Sequence, residues 1–320
     1  MSTANVREFL LVSLAFVVAQ STAWGQAPLP QKSAVDVEIQ RDIEYAKVGE
    51  ISLKLDFYRP ETGSDHPRPC VVWIHGGGWR SGSKSGGGVR LSSLVSTGEY
   101  VAASIDYRLL DVAIWPAQIY DCKAAIRYLR ANSKSLGIDP DKIGVWGASA
   151  GGHLASLLGT SGDVKEIEGD VGTTGVSSRV ACVVDFCGPS DFRLPGIGAP
   201  RASDQISNTF FGGPLKDKEE AARQASPVAH VTADDPPFLI MHGTQDNTVN
   251  IRQAERLYDA QKQAGASTIF VKIEGGGHGF GGSEVNSRVK AFLDKHLHGK
   301  DVAISDAPIE AAPTGSKPTE

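Results

Sequence analysis

Ser149 stands in the run Gly147-Ala148-Ser149-Ala150-Gly151-Gly152, with nothing bulky on either side. This is G-x-S-x-G spacing, in which a serine hydroxyl is lifted out of a sharp turn as a nucleophile. Small residues also gather where a helix packs closely on a sheet, so the serine needs partners elsewhere. Acyl transfer needs preorganised N–H donors for an oxyanion. His75-Gly76-Gly77-Gly78-Trp79 offers them, because consecutive glycines leave backbone amides unobstructed. The amides of Gly77, Gly78 and Ala150 are the predicted donors. A serine nucleophile further requires a base and an orienting acid, in chain order serine, acid, histidine. Asp246, in the acid loop after His242-Gly243, and His278, in "EGGGHGF", meet that order. Trp79 and His75 are read as bracing the glycine loop.

Other matches fail on context. Ser81-Gly82-Ser83-Lys84 has S-x-x-K spacing without a companion motif, and Gly86–Gly88 lack the Gly-Lys-Ser/Thr ending of a phosphate loop. His153, His230 and His242 fit structural histidines. His296 and His298 are read as exposed, and no metal-ligand spacing or cofactor motif is present.

The elements that must position these residues follow from hydrophobic patterning. Ile51, Leu53, Leu55 and Phe57 alternate with polar residues, and Ile43 and Tyr45 precede them across a Gly49-Glu50 turn, predicting an opening hairpin. Cys70–Ile74, Tyr100–Ile105, Ile143–Trp146, Val180–Phe186, Phe238–Met241 and Thr268–Ile273 are apolar runs suited to strands covered on both faces. A turn is expected at Asp139-Pro140. Helical spacing occurs at Ile119–Leu129, Leu154–Leu158, Ile251–Tyr258 and Val285–Leu293. Alternating strands and helices imply an α/β fold, with a mostly parallel central sheet, helices on both faces and ligands at the carboxyl strand ends. Each predicted site residue follows a strand, so all share that end.

The chain has 320 residues, 41% of them hydrophobic, enough for one large core. A formal net charge of −5 gives no footprint for nucleic acid. Arg7, the apolar run Phe9–Ala19 and Ala23-Trp24-Gly25 form the pattern of a signal peptide over residues 1–25, predicting a secreted or periplasmic protein with no membrane span once cleaved. Residues 26–36 read as a spacer, 37–298 as the catalytic domain and 299–320, rich in Pro and Ala, as a disordered tail. Cys70, Cys122, Cys182 and Cys187 read as buried thiols. Cys182 and Cys187, placed on one strand, would lie on opposite faces roughly 16 Å apart.

The stretches "VVWIHGGGW", "WPAQIYDCKAAIRYLRANSKSLGIDPDKIGVWGASAGGHLASLLG" and "ASPVAHVTADDPPFLIMHGTQDNTV" resemble the α/β-hydrolase superfamily, and within it hormone-sensitive-lipase-type and bifunctional feruloyl/acetyl-xylan esterases. The resemblance spans about residues 40 to 298. It implies a serine carboxylesterase without cofactor or metal, acting through an acyl-enzyme on small-molecule or polysaccharide esters, and the leader pattern makes it an exported one. Ser149, Asp246 and His278 would be catalytic. It also implies a small lid at about residues 188–236, after the sixth core strand, where Arg201, Phe210 and Phe211 could line the substrate pocket. Relatives usually read His-Gly-Asp-x-Asp in the acid loop, whereas this chain has His242-Gly243-Thr244-Gln245-Asp246. A peptidase of prolyl-oligopeptidase type and a catalytically silent binding protein are the alternatives. The first normally needs a large additional domain, and the second typically lacks a triad or oxyanion residue.

Overall fold

A computed structural model describes residues 34–162, 164–194 and 208–311. The predicted leader and Arg201 lie outside them. Strand β1 (Val37–Val48) and β2 (Ile51–Pro60) form the expected hairpin. They are followed by β3 (Arg68–Ile74), helix α1 (Gly88–Val95), β4 (Val101–Ile105), α2 (Ala117–Ala131), β5 (Ile138–Ala148) and α3 (Ala150–Thr160). Then come β6 (Cys182–Phe186), α4 (Glu219–Ala225), β7 (Phe238–Gly243), α5 (Arg252–Ala264), β8 (Thr268–Glu274), α6 (Ser283–His298) and β9 (Ile309–Glu310). The sheet order is β1-β2-β4-β3-β5-β6-β7-β8-β9. β2 is antiparallel to both neighbours, and every pairing from β4 across to β9 is parallel.

The continuous apolar runs divide by parity, as strand geometry requires. Cys70, Val72 and Ile74 of β3 face one core together with α2, α3 and part of α5. Val71 and Trp73 face the other, with Leu91, Leu94 and Val95 of α1 and Val285, Val289, Phe292 and Leu293 of α6. Both faces of the mostly parallel sheet are thus covered by helices, as the apolar runs predict. Register then aligns the carboxyl ends: Ile74 pairs with Gly147, Ala148 with Phe186, and Gly243 with Ile273. Among the described residues no helix is long and apolar enough to cross a membrane.

The structure refines four expectations. β5 begins at Ile138, before the expected Asp139-Pro140 turn, and the turn appears as a break in register inside the strand: Arg68 pairs with Ile138 and Cys70 with Ile143, and Asp141 N–H donates to Asp139 Oδ1 (3.1 Å). β6 stops at Phe186, which leaves Cys187 in the following loop, and Cys182 and Cys187 join the same apolar cluster. The segment between β6 and β7, where the lid is expected, packs on the body in its described parts: Val228 N–H donates to Ser190 O (3.2 Å), and Ala222, Ala225 and Phe210 are buried. Residues 299–311 of the predicted disordered tail are instead fixed on the domain. Lys300 reaches Glu99 (2.9 Å), Arg288 donates to Ser305 O and Ala307 O, and β9 pairs with the end of β8. A composition rich in Pro and Ala does not register the open edge of β8 that this segment finds.

Candidate active site

Between β5 and α3 the chain reverses within one residue, and Ser149 takes φ 56 and ψ −122. A non-glycine residue rarely holds such a conformation unless its surroundings enforce it. Here they do. Ser149 N–H donates to Phe186 O (2.8 Å), and Ser149 O accepts from His153 N–H (3.0 Å). A Cβ on Gly147 would strike the backbone oxygen of Gly151, and one on Gly151 would strike that of Ile74. The small residues are therefore a packing requirement of the turn.

His278 Nε2 lies 2.9 Å from Ser149 Oγ, and His278 Nδ1 lies 2.8 Å from Asp246 Oδ2. The three predicted residues thus form one continuous hydrogen-bonded relay. Asp246 Oδ1 accepts from the amides of Thr248 (2.8 Å) and Val249 (2.9 Å). Oδ2 is shared with a second imidazole, since His242 Nε2 approaches it at 3.1 Å and also meets Val249 O at 2.8 Å. A carbonyl only accepts, so Nε2 of His242 carries the proton. Its Nδ1 is then a bare lone pair, consistent with that buried atom having no partner. Burial alone would push the Asp246 carboxyl up. Donors from His242, His278 and the two amides outweigh it and hold the group well below the usual carboxylate range.

The two loops carrying acid and base are tied to each other. Thr244 N–H donates to Ile273 O (3.0 Å), Gln245 N–H to Gly276 O (2.8 Å), and Gly275 N–H to Thr244 Oγ1 (3.0 Å). Thr244, where relatives usually have aspartate, supplies an acceptor to the histidine loop.

On the other side of Ser149 lies the glycine loop after β3. A Cβ on Gly76 would sit 2.8 Å from Ala148 O and 3.2 Å from Ser149 Cβ, so this loop lies against the nucleophile turn. Gly77 (φ 113), Gly78 (φ 59) and Trp79 (φ 59) continue it in positive φ, and Gly77 O closes a tight turn on Arg80 N–H and Ser81 N–H (both 3.1 Å). The amides of Gly77 and Gly78 find no backbone acceptor among the described residues, and Ala150 opens α3 immediately after the serine. His75 stacks on Tyr107 (4.3 Å between ring centroids), whose hydroxyl donates to His75 O (3.0 Å). Trp79 is held among Phe210 (4.6 Å), His153 (5.4 Å) and Phe192 (5.8 Å).

The remaining expectations sort as follows. Phe210 and Phe211 do not line an open pocket: they are 0% and 3% exposed, Phe210 packs on Trp79 and Phe211 on Phe210. His153 is buried in that cage, donates through Nε2 to Ala225 O (2.7 Å) and is pushed by burial down to about 4. His230 bonds Gln224 O. His296 and His298 are half-buried against Phe292 and Tyr100 rather than exposed. Lys84 of the S-x-x-K match is a structural cation between Asp42 (3.0 Å) and Asp56 (3.4 Å). All four cysteines are buried and free. Sequence reading missed two groups at the relay: His242, read as structural only, and Cys187, whose Sγ–H donates to His278 O (3.3 Å). The His242-Gly243 pair directly before the acid loop was the available signal for the first; nothing in the spacing marked the second.

Comparison with known proteins agrees with this geometry. The BD-FAE family matches residues 55–261. Esterase LipC of Mycobacterium tuberculosis is 31% identical over 228 residues, 71% of this chain and 56% of the relative. LipM of the same organism, a probable carboxylic ester hydrolase, is 31% identical over 71% of this chain and 53% of its own length. The chain thus spans about half the length of these curated relatives. Among solved structures, a truncated carbohydrate esterase from gut microbiota is similar with a TM-score of 0.74 and 29% identity, over 84% of this chain and 99% of that one. A propionate-bound esterase, Est2 of Thermogutta terrifontis, has a TM-score of 0.66 and 28% identity, over 84% and 96%. Fold, relay and matched span converge on one assignment: the chain belongs to the BD-FAE family of α/β-hydrolases.

Proposed function

We propose that this protein is an exported serine carboxylesterase acting on short-chain or carbohydrate-linked esters through an acyl-enzyme on Ser149. The relay Ser149–His278–Asp246 is the observation that carries the reading. Ser149 Oγ attacks the ester carbonyl while His278 Nε2 takes its proton. Asp246 holds the tautomer with Nδ1–H and stabilises the imidazolium. The tetrahedral oxyanion sits at the amides of Gly77, Gly78 and Ala150. Its collapse expels the alcohol, which receives the proton from His278. A water activated by the same nitrogen then attacks the acyl carbonyl, releasing the acid and restoring Ser149.

The names of the relatives support ester hydrolysis, and the gut carbohydrate esterase supports sugar-linked esters as one substrate class. Export rests on the apolar run Phe9–Ala19 and the small-x-small site ending at Gly25. N-terminal sequencing of the exported protein should then begin at Gln26.

A panel of acetyl, butyryl, octanoyl, feruloyl and acetyl-xylan esters, with Ser149→Ala alongside, tests the reading. Turnover and fluorophosphonate labelling should both vanish in the variant. Hydrolysis that persists in Ser149→Ala, or wild-type protein that neither turns over nor labels, overturns it.

A further inference from the structure

Cys187 is a nucleophilic side chain at the relay for which ester hydrolysis has no use. It follows β6 directly, with φ 46, a conformation uncommon outside glycine. Its amide is fixed to Met241 O (2.9 Å), and its side chain is buried against the relay. The Cys187 sulfur, a carboxylate oxygen of Asp246 and a ring nitrogen of His278 all lie within 4.8 Å of one another. Thiolate, imidazole and carboxylate together form a donor set for borderline-soft divalent cations.

We propose that Cys187, Asp246 and His278 form an inhibitory site for a cation such as Zn2+ or Cd2+. The proposal rests on the esterase reading for its consequence, though not for its binding. Metal–ligand bonds of roughly 2.0–2.3 Å in a tetrahedral site set donor atoms about 3.3–3.8 Å apart, so the sulfur must draw in while the 2.8 Å contact between Asp246 and His278 opens. The histidine loop can supply that movement: His278 lies within Gly275–Gly282, and side chains on Gly277, Gly279 and Gly281 would meet nothing within 4 Å. The imidazole is 28% exposed, which gives the cation an entry. Burial and the charges of Asp185 and Asp246 push the thiol up, while the Ser149 amide pulls it down. A bound cation overrides the burial, because a coordinating thiol is deprotonated outright.

Inhibition follows from proton bookkeeping. Asp246 meets His278 at Nδ1, so a cation shared between them takes the Nδ1 lone pair. The proton formerly on Nδ1 moves to Nε2, and the thiol proton leaves to solvent, one proton released per cation bound. Nε2 then presents N–H to Ser149 and can no longer accept its proton.

The test is a CdCl2 titration of the full protein, following p-nitrophenyl acetate turnover and the ultraviolet cadmium–thiolate charge-transfer band. Turnover should be lost in proportion as the band grows, and a chelator should restore the first and remove the second. Cys187→Ser, scored against its own turnover in metal-free buffer, should show neither band nor cation sensitivity; Cys187→Ala serves if the serine variant fails to fold. Cadmium NMR of wild-type protein should report one sulfur donor. Absence of the band in wild type, or equal cation inhibition of a folded Cys187 variant, overturns the proposal. If wild type shows no esterase turnover at all, the functional reading fails while the band still judges the site.

Discussion

On the β7–β8 side of Ser149, each group is fixed by directional bonds. Asp246 is met by two amides and two imidazoles, and the loops bearing it and His278 exchange three hydrogen bonds. On the β3 side the glycine loop is fixed mainly by packing. Trp79 is wedged among Phe192, Phe210 and His153, and Phe192 and Phe210 stack at 5.4 Å with their planes 8° apart. In the proposed mechanism the first half moves a proton and needs one tautomer, which only donors and acceptors can specify. In the same mechanism the second half presents amides and needs a rigid backbone trace, which close packing provides without competing for those amides. Damage to the first should therefore appear in kcat, and damage to the second in stability.

Asp246→Asn offers the largest effect. It should lower kcat by ~10^4 with KM little changed, because the amide can favour the wrong His278 tautomer; a loss of stability in place of kcat would erase the distinction. Next is Phe210→Ala, expected to cost about 3–5 kcal/mol in urea unfolding through the cavity left behind Trp79. Its folded fraction should keep most of its kcat. His242→Leu removes one donor to a charged group, worth about 1.5–3 kcal/mol, and should reduce kcat roughly 10–100-fold. His242→Gln, which keeps an N–H near Nε2, should recover most of that loss; equal activity of the two variants would make His242 mere filling. The smallest change is Thr244→Val. Loss of the acceptor for Gly275 N–H should cost about 1 kcal/mol in stability and a few-fold in kcat.

The layered sheet was legible because buried parallel strands leave uninterrupted apolar runs, and the relay because glycines and polar residues cluster where those strands end. What escaped the sequence depended on contacts between distant segments. Phe210 is followed by Phe211 in a stretch rich in Gly, Pro and charge, and only the approach of Trp79 and Trp115 makes it a brace. His242 ends a strand as an ordinary buried residue would, and its bond to Asp246 exists because the loop bends back to Val249 O. Ile304 and Ile309 are isolated apolar residues among Ala, Ser, Asp and Pro, so the packing of a partly buried Ile304 and a buried Ile309 on the β8–α6 cluster shows no local periodicity.

The short strand β9 bears on how this sheet meets other chains. An uncovered rim of backbone amides and carbonyls is a template for pairing with a second molecule. At one rim β1 breaks its register twice, between Gln40 and Ile43 and between Glu44 and Ala46, which twists the ribbon away from a flat partner. At the other, Ile309 and Glu310 occupy the positions beside Ile273 and Glu274 just before the histidine loop. Lateral growth of the sheet is thus discouraged at both borders, and at the second border the device lies beside the catalytic edge.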